Sequence, residues 1–191
     1  MDQLSDSRSE FKKQRLDTAL RRKKLRIIYW LAAVCLIIGG IAFGFSYFTK
    51  QSLQNLPGLS VPDQGREHVV GTNHPPYNSN PPVSGWHDSS PAEWGVYKEE
   101  LPDEVLIHNL EHGGIWISYK PGISPELVEK LENFYKEWGR KTIVTPRAAN
   151  DTDVTLAAWT RLDKFNSSEY SEERVEKFIK AFRNKGPEFV P

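Results

Sequence analysis

All five histidines of this 191-residue chain, His68, His74, His87, His108 and His112, fall between positions 68 and 112. His108 and His112 stand four apart in the run EVLIHNLEHGGIWISY, with Glu111 between them. On a helix that spacing puts two imidazoles on one face, near enough to share one ion. Neutral imidazole suits zinc, copper(II), nickel or iron. His87, in PPVSGWH, is the best third donor. The prolines at 75, 76, 81 and 82 exclude a helix there and favour a rigid extended path that can return His87 to the domain. His74 is the next candidate, and Glu111 or Asp88 can supply oxygen. Three imidazoles with an open position describe a site for copper or zinc.

The same residues allow other chemistries. H-x-x-E-H spells the inverted zinc-peptidase signature, in which Glu111 would be the catalytic base of a zinc-dependent hydrolase. That signature needs a long helix. Here EVLI has a strand-like composition, and Gly113 and Gly114 follow at once, leaving room for one helical turn. A His–Glu pair can also work as a metal-free acid–base couple near neutral pH. It can equally hold the proline loop by hydrogen bonds, with no ion and no reaction, as in a non-catalytic interaction module. Cys35 is the only cysteine and Met1 the only methionine. An intrachain disulfide, a Cys-ligated zinc site and a soft copper(I) site are therefore ruled out. Ser84 lacks a G-x-S-x-G elbow and reads as a turn residue.

The elements that must position these residues follow from periodicity and caps. Residues 104–107 and 114–119 read as strands, the second with an alternating pattern, as do 141–146 and 154–162. Residues 124–138 predict the clearest helix: Ser124 caps it, Pro125 opens it and Gly139 stops it. Its stripe is Leu127, Leu131, Phe134, Tyr135 and Trp138. A last helix is expected over 171–184, with Ser171 as cap and Val175, Phe178, Ile179 and Phe182 as its stripe. The sum is an α+β fold, a small antiparallel or mixed sheet with helices packed on one face. The proline-rich stretch 74–97 carries too many aromatics for a pure linker, and is expected to pack on the domain as an ordered loop.

Upstream the chain changes character. Residues 27–48 run 22 positions without a charge, enough for a single transmembrane helix across about 30 Å of hydrocarbon. Tyr29, Trp30, Tyr47 and Phe48 mark its ends. Residues 1–26 hold nine Lys or Arg against four Asp or Glu, and only Lys50 follows the span closely. The positive-inside rule then places the N-terminus in the cytoplasm and the rest outside. A cleavable signal peptide is the rival, but the apolar run is long and no A-x-A site follows. The expected plan is a basic cytoplasmic segment at 1–26, an uncleaved span at 27–48, a stalk at 49–66 and an extracytoplasmic α+β domain at 67–191. The bilayer, and other envelope proteins, are its expected partners. Beyond residue 50 acidic residues outnumber basic ones, twenty-one to fifteen, with no basic–aromatic stripe. Nucleic-acid binding is not expected.

Several motifs occur together in order: PPVSGWH, then GVY, then VLIHNLEHGGIWISY, and later VTPRAANDTDVTLAAWTRL and AFRNKGPEF. In these the chain resembles the bacterial family of unknown function numbered 3105, over roughly residues 66–188. Val83 and Trp86 depart from that pattern. The matching positions are Pro81, Pro82, Ser84, Gly85, His87, Tyr97, His108, Leu110, Glu111, His112 and Gly113. The resemblance implies a membrane-tethered envelope domain, and it supports treating His87, His108 and His112 as one site. It implies no activity.

Overall fold

The computed structural model describes residues 3–54, 56–71 and 73–190. It comprises two compact units, up to Asn55 and from Leu56 onward. The first is one helix, α1 (Gln3–Gln54). Its stretch Leu20–Phe48 is long and apolar enough to cross a bilayer, and none of it is buried within the protein.

The second unit is built on a six-stranded mixed sheet. Its strands are β1 (Leu59–Ser60), β2 (Gly95–Val96), β3 (Ile115–Tyr119), β4 (Thr142–Pro146), β5 (Val154–Ala158) and β6 (Arg161–Phe165). They lie in the order β1-β6-β5-β3-β4-β2. β3 and β4 run parallel because α3 (Pro125–Trp138) crosses over between them. β5 and β6 form an antiparallel hairpin on the other side of β3. α4 (Glu172–Phe182) closes the chain of regular elements.

Both expected helices form where their caps place them. The Ser124 and Ser171 hydroxyls accept bonds from the Leu127 and Arg174 amides, satisfying donors that a helix start leaves bare. Gly139 ends α3 with φ +62°, a conformation glycine adopts without strain. Leu127, Leu131 and Phe134 of α3 pack with Val175, Phe178, Ile179 and Phe182 of α4 against one face of the sheet, over Ile117, Val144, Leu156 and Phe165.

The opposite face is covered by a helix that the sequence did not suggest. Residues 104–107 are not a strand. They lie in α2 (Asp103–Glu111), so helices cover both faces rather than one. Leu106 and Leu110 of α2, with Val83 of the proline-rich loop, bury Trp116, Ile143, Ala157 and Leu162. Three further expectations change. The strand expected over 154–162 is two strands, turning at Trp159–Thr160, where Thr160 takes φ +59°. β3 is buried along its whole length instead of alternating, because it is central and covered on both faces. The stalk assigned to 49–66 is no free tether: 51–54 continue α1, Asn55 lies outside the described residues, and 56–66 belong to the domain. There Leu56 packs on the core and β1 pairs with β6.

The proline-rich loop is ordered, as expected, with residues 81–85 buried. Arg147 holds it to the rest. Its guanidinium donates to both carboxylate oxygens of Asp103, at 2.8 and 2.6 Å, and to the Asn80 side-chain oxygen at 2.6 Å. One cation thus joins β4's exit, the start of α2 and the loop. Arg147 is buried while Asp103 is partly exposed. Arg147→Ala leaves that acid and Asn80 without their donor, and should cost about 3 kcal/mol. Denaturant unfolding of the full-length chain measures this, and Arg147→Lys, which lacks the planar fork, should recover less than half.

Candidate metal centre

α2 explains why HNLEH is polar in an apolar neighbourhood. Leu106 and Leu110 face the sheet, and the intervening polar groups each take a partner on the loop above. Asn109 accepts from the Ala92 amide at 2.9 Å and donates to the Ala92 carbonyl at 2.8 Å, as a strand would. His108 Nδ1 donates to the Asp88 carbonyl at 2.7 Å. Glu111, only 3% exposed, sets Oε2 at 3.0 Å from Nε2 of the fully buried His87. The helix ends at His112, and Gly113 turns away with φ +76°. A Cβ on Gly113 would meet Asn184 Cα at 2.9 Å, so only glycine fits that turn.

A second strip of chain completes the site. Val69 and His87 exchange backbone bonds with the facing segments, Val69 N to His87 O at 2.8 Å and His87 N to Glu67 O at 3.1 Å. That bridge sets the His68 ring 4.9 Å from His87 and stacks it on His108 at 5.1 Å. His68 Nε2 lies 3.7 Å from Glu111 Oε2. From the far end of the chain, Glu188 donates its amide to the Glu111 carbonyl and places Oε2 3.5 Å from His112 Nε2. Two donor groups result, His68–His87–His108–Glu111 and His108–Glu111–His112–Glu188. Within each, the ligand atoms lie no more than 4.8 Å apart. Donors around a tetrahedral ion with bonds of about 2.0 Å sit about 3.3 Å apart, so these groups are near binding geometry.

The ring nitrogens sharpen the point. A carbonyl oxygen only accepts, and His87 Nδ1 lies 2.7 Å from the Gly85 carbonyl. Nδ1 of His87 and of His108 therefore carries the hydrogen, and in the neutral tautomer Nε2 is left as the acceptor, facing Glu111 in His87 and His112 Nε2 at 3.0 Å in His108. This backbone anchoring of Nδ1 is how metal-binding histidines are usually oriented. In His87 that nitrogen lies 3.0 Å from a Glu111 carboxylate oxygen, a contact that a proton or a metal ion between them satisfies. Burial also holds the His108 imidazole below its ordinary pKa, against the bond to Asp88, which favours the neutral form that ligates.

The expected residues thus divide. His87, His108, His112 and Glu111 are brought together. His74 is not: it bonds the Pro75 carbonyl and Glu104 Oε1, beside Tyr77 and Trp86. Asp88 contributes its backbone carbonyl. His68 and Glu188 were not singled out as donors, and the confinement of all five histidines to one stretch was the only signal for His68. The zinc-peptidase objection also changes, because a helix of nine residues is present. It ends at the second histidine, however, and Glu111 is turned toward His87 and His68.

A mixed α+β domain carrying a buried histidine–carboxylate cluster is the class that fold and site define. The chain belongs to the protein family of unknown function DUF3105, whose sequence model matches residues 68–190. No curated protein and no solved structure matches it.

The tail that carries Glu188 is seated on the α2 turn with no room to spare. A Cβ on Gly186 would lie 2.0 Å from the Glu111 carbonyl oxygen. Gly186→Ala should therefore lift the tail. Limited proteolysis should cut after position 184 several-fold faster than in the unaltered protein, while α3 and α4 stay protected.

Proposed function

We propose that this protein is a single-pass membrane protein, N-terminus inside, whose extracytoplasmic domain binds a divalent transition ion through its histidine cluster. The ion is zinc or copper(II), and Glu111, His87 and His108 are its central ligands, with His68, His112 and Glu188 at the rim. The observation that carries this reading is the buried His87–Glu111 contact at 3.0 Å, with both His87 and His108 tethered through Nδ1 so that their Nε2 atoms face the cluster. A metal ion satisfies that contact and the neighbouring lone pairs together. A proton satisfies one pair. Imidazole and carboxylate suit both metals, and the only sulfur donors among Cys and Met, Cys35 and Met1, lie outside the domain. The excess of Lys and Arg before the apolar stretch supports the orientation.

Elemental analysis tests it. The full-length chain, purified in detergent, stripped and reloaded at neutral pH, should retain at least about one ion per chain. His87→Ala and His108→Ala should each abolish retention. Loading at a thousandfold excess over Kd should stabilise the domain by about 4 kcal/mol. Absence of stoichiometric metal sinks the proposal.

A second reading is favoured by the Nδ1 and Asn109 bonds to the loop: a protonated His87–Glu111 pair that fixes the loop in an envelope interaction module. It predicts that His87→Ala lowers the melting temperature equally with chelator and with metal.

A further inference from the structure

Beside His112 lies a cavity of about 530 Å³, whose lining includes Glu93, Trp94, Tyr135, Arg140, Lys141 and Val190. That size is within the range of small-molecule sites. Its chemistry is unusual at one end. The residue Lys141 is 7% exposed, and an ammonium partly withdrawn from water ordinarily has a carboxylate partner. Among the described residues Lys141 and Arg140 have none. Lys141 Nζ instead donates to the Val190 carbonyl, which leaves two of its three donors.

The surroundings add positive charge. Arg183 sends Nη2 to the Trp138 and Arg140 carbonyls, and its Nε is buried without a partner. Burial, then Arg140 and Arg183, push the Lys141 ammonium below its ordinary pKa. Lys141 also sits at φ +69°, a left-handed conformation that a lysine adopts only where its surroundings impose it. The turn between α3 and β4 thus holds a cation, under strain, against the cavity. Glu93 offsets one of the two lining cations and is exposed.

We propose that this cavity binds a small organic anion, its carboxylate held by Lys141 and Arg140 and a second donor directed to the metal on the His112 side. The metal half rests on the function proposed above. The carboxylate half rests on the cavity and its cations alone.

Imidazoleacetate, with methylimidazole as the same ring lacking the carboxylate, separates the two halves. Titration calorimetry on the zinc-loaded full-length chain should find imidazoleacetate bound at least about tenfold tighter, the value of a charge-assisted hydrogen bond. Arg140→Gln, at an exposed position, should remove most of that preference. Lys141→Gln should do the same, and Glu93→Gln should enlarge it. Equal affinity for the two probes, or a preference untouched by Arg140→Gln, overturns the proposal. If the chain retains no zinc, the metal reading has failed, and the zinc-free chain decides the anion site. There imidazoleacetate, and not methylimidazole, should shift the Trp94 indole resonance in a way Arg140→Gln weakens. No such shift overturns the anion site as well.

Discussion

A carboxylate that is 3% exposed cannot stand without a counter-charge, and Glu111 is the group around which this domain is arranged. Its Oε2 faces His87 and His68, and its Oε1 lies 3.9 Å from the Arg66 guanidinium. Its own carbonyl receives the Glu188 amide. Through its carboxylate and its carbonyl, Glu111 therefore joins four segments: the strip at 65–69, the proline-rich loop, α2 and the C-terminal tail. Few of these have apolar surface enough to dock by themselves. The loop buries Val83 in the core with Ala92, Trp94 and Tyr97 only partly covered beside it, and the tail leaves Phe189 exposed. Polar convergence does what a core does elsewhere.

The sheet supplies the rigid floor for this arrangement. α3 and α4 fill one face with leucine, valine, isoleucine and phenylalanine, and Arg174 of α4 pairs there with Asp163 of β6. The other face is thinner, made of Trp116, Ile143, Ala157 and Leu162 under a single short helix. Dividing the labour between faces lets α2 give one side to packing and the other to histidines. A thicker layer there would leave its polar side in the core.

Legibility in the sequence followed the same division. α3 and α4 were readable because solvent bathes one side of each, so apolar residues recur with a helical period between serine caps. α2 was not, because every residue from 106 to 111 is buried, including His108, Asn109 and Glu111. With both sides covered there is no contrast to read, and Val105 and Ile107 suggested a strand. The β5–β6 turn was hidden for a related reason. Trp159–Thr160 holds none of the usual turn residues. Thr160 is kept at positive φ by tertiary bonds, its amide to the Val83 carbonyl and its carbonyl from the Val61 amide. The three central donors, His87, His108 and Glu111, were visible as a confined group. His68 and Glu188 became donors only through a backbone bridge and a tail that no local pattern announces.

The distances along the chain between these donors have a consequence of their own. Positions 68 and 188 belong to two donor groups that share His108 and Glu111, so two linked loops, 68–111 and 108–188, together take in nearly the whole domain. The chain's one cysteine, Cys35, belongs to the first unit, so no disulfide within the domain can close such a loop. Joining its ends removes several kilocalories of freedom from the unfolded chain, and that benefit grows only slowly with loop length. An ion held there would be a reversible staple: strong while its ligands are unprotonated, released when they are not, and independent of the redox state of the compartment.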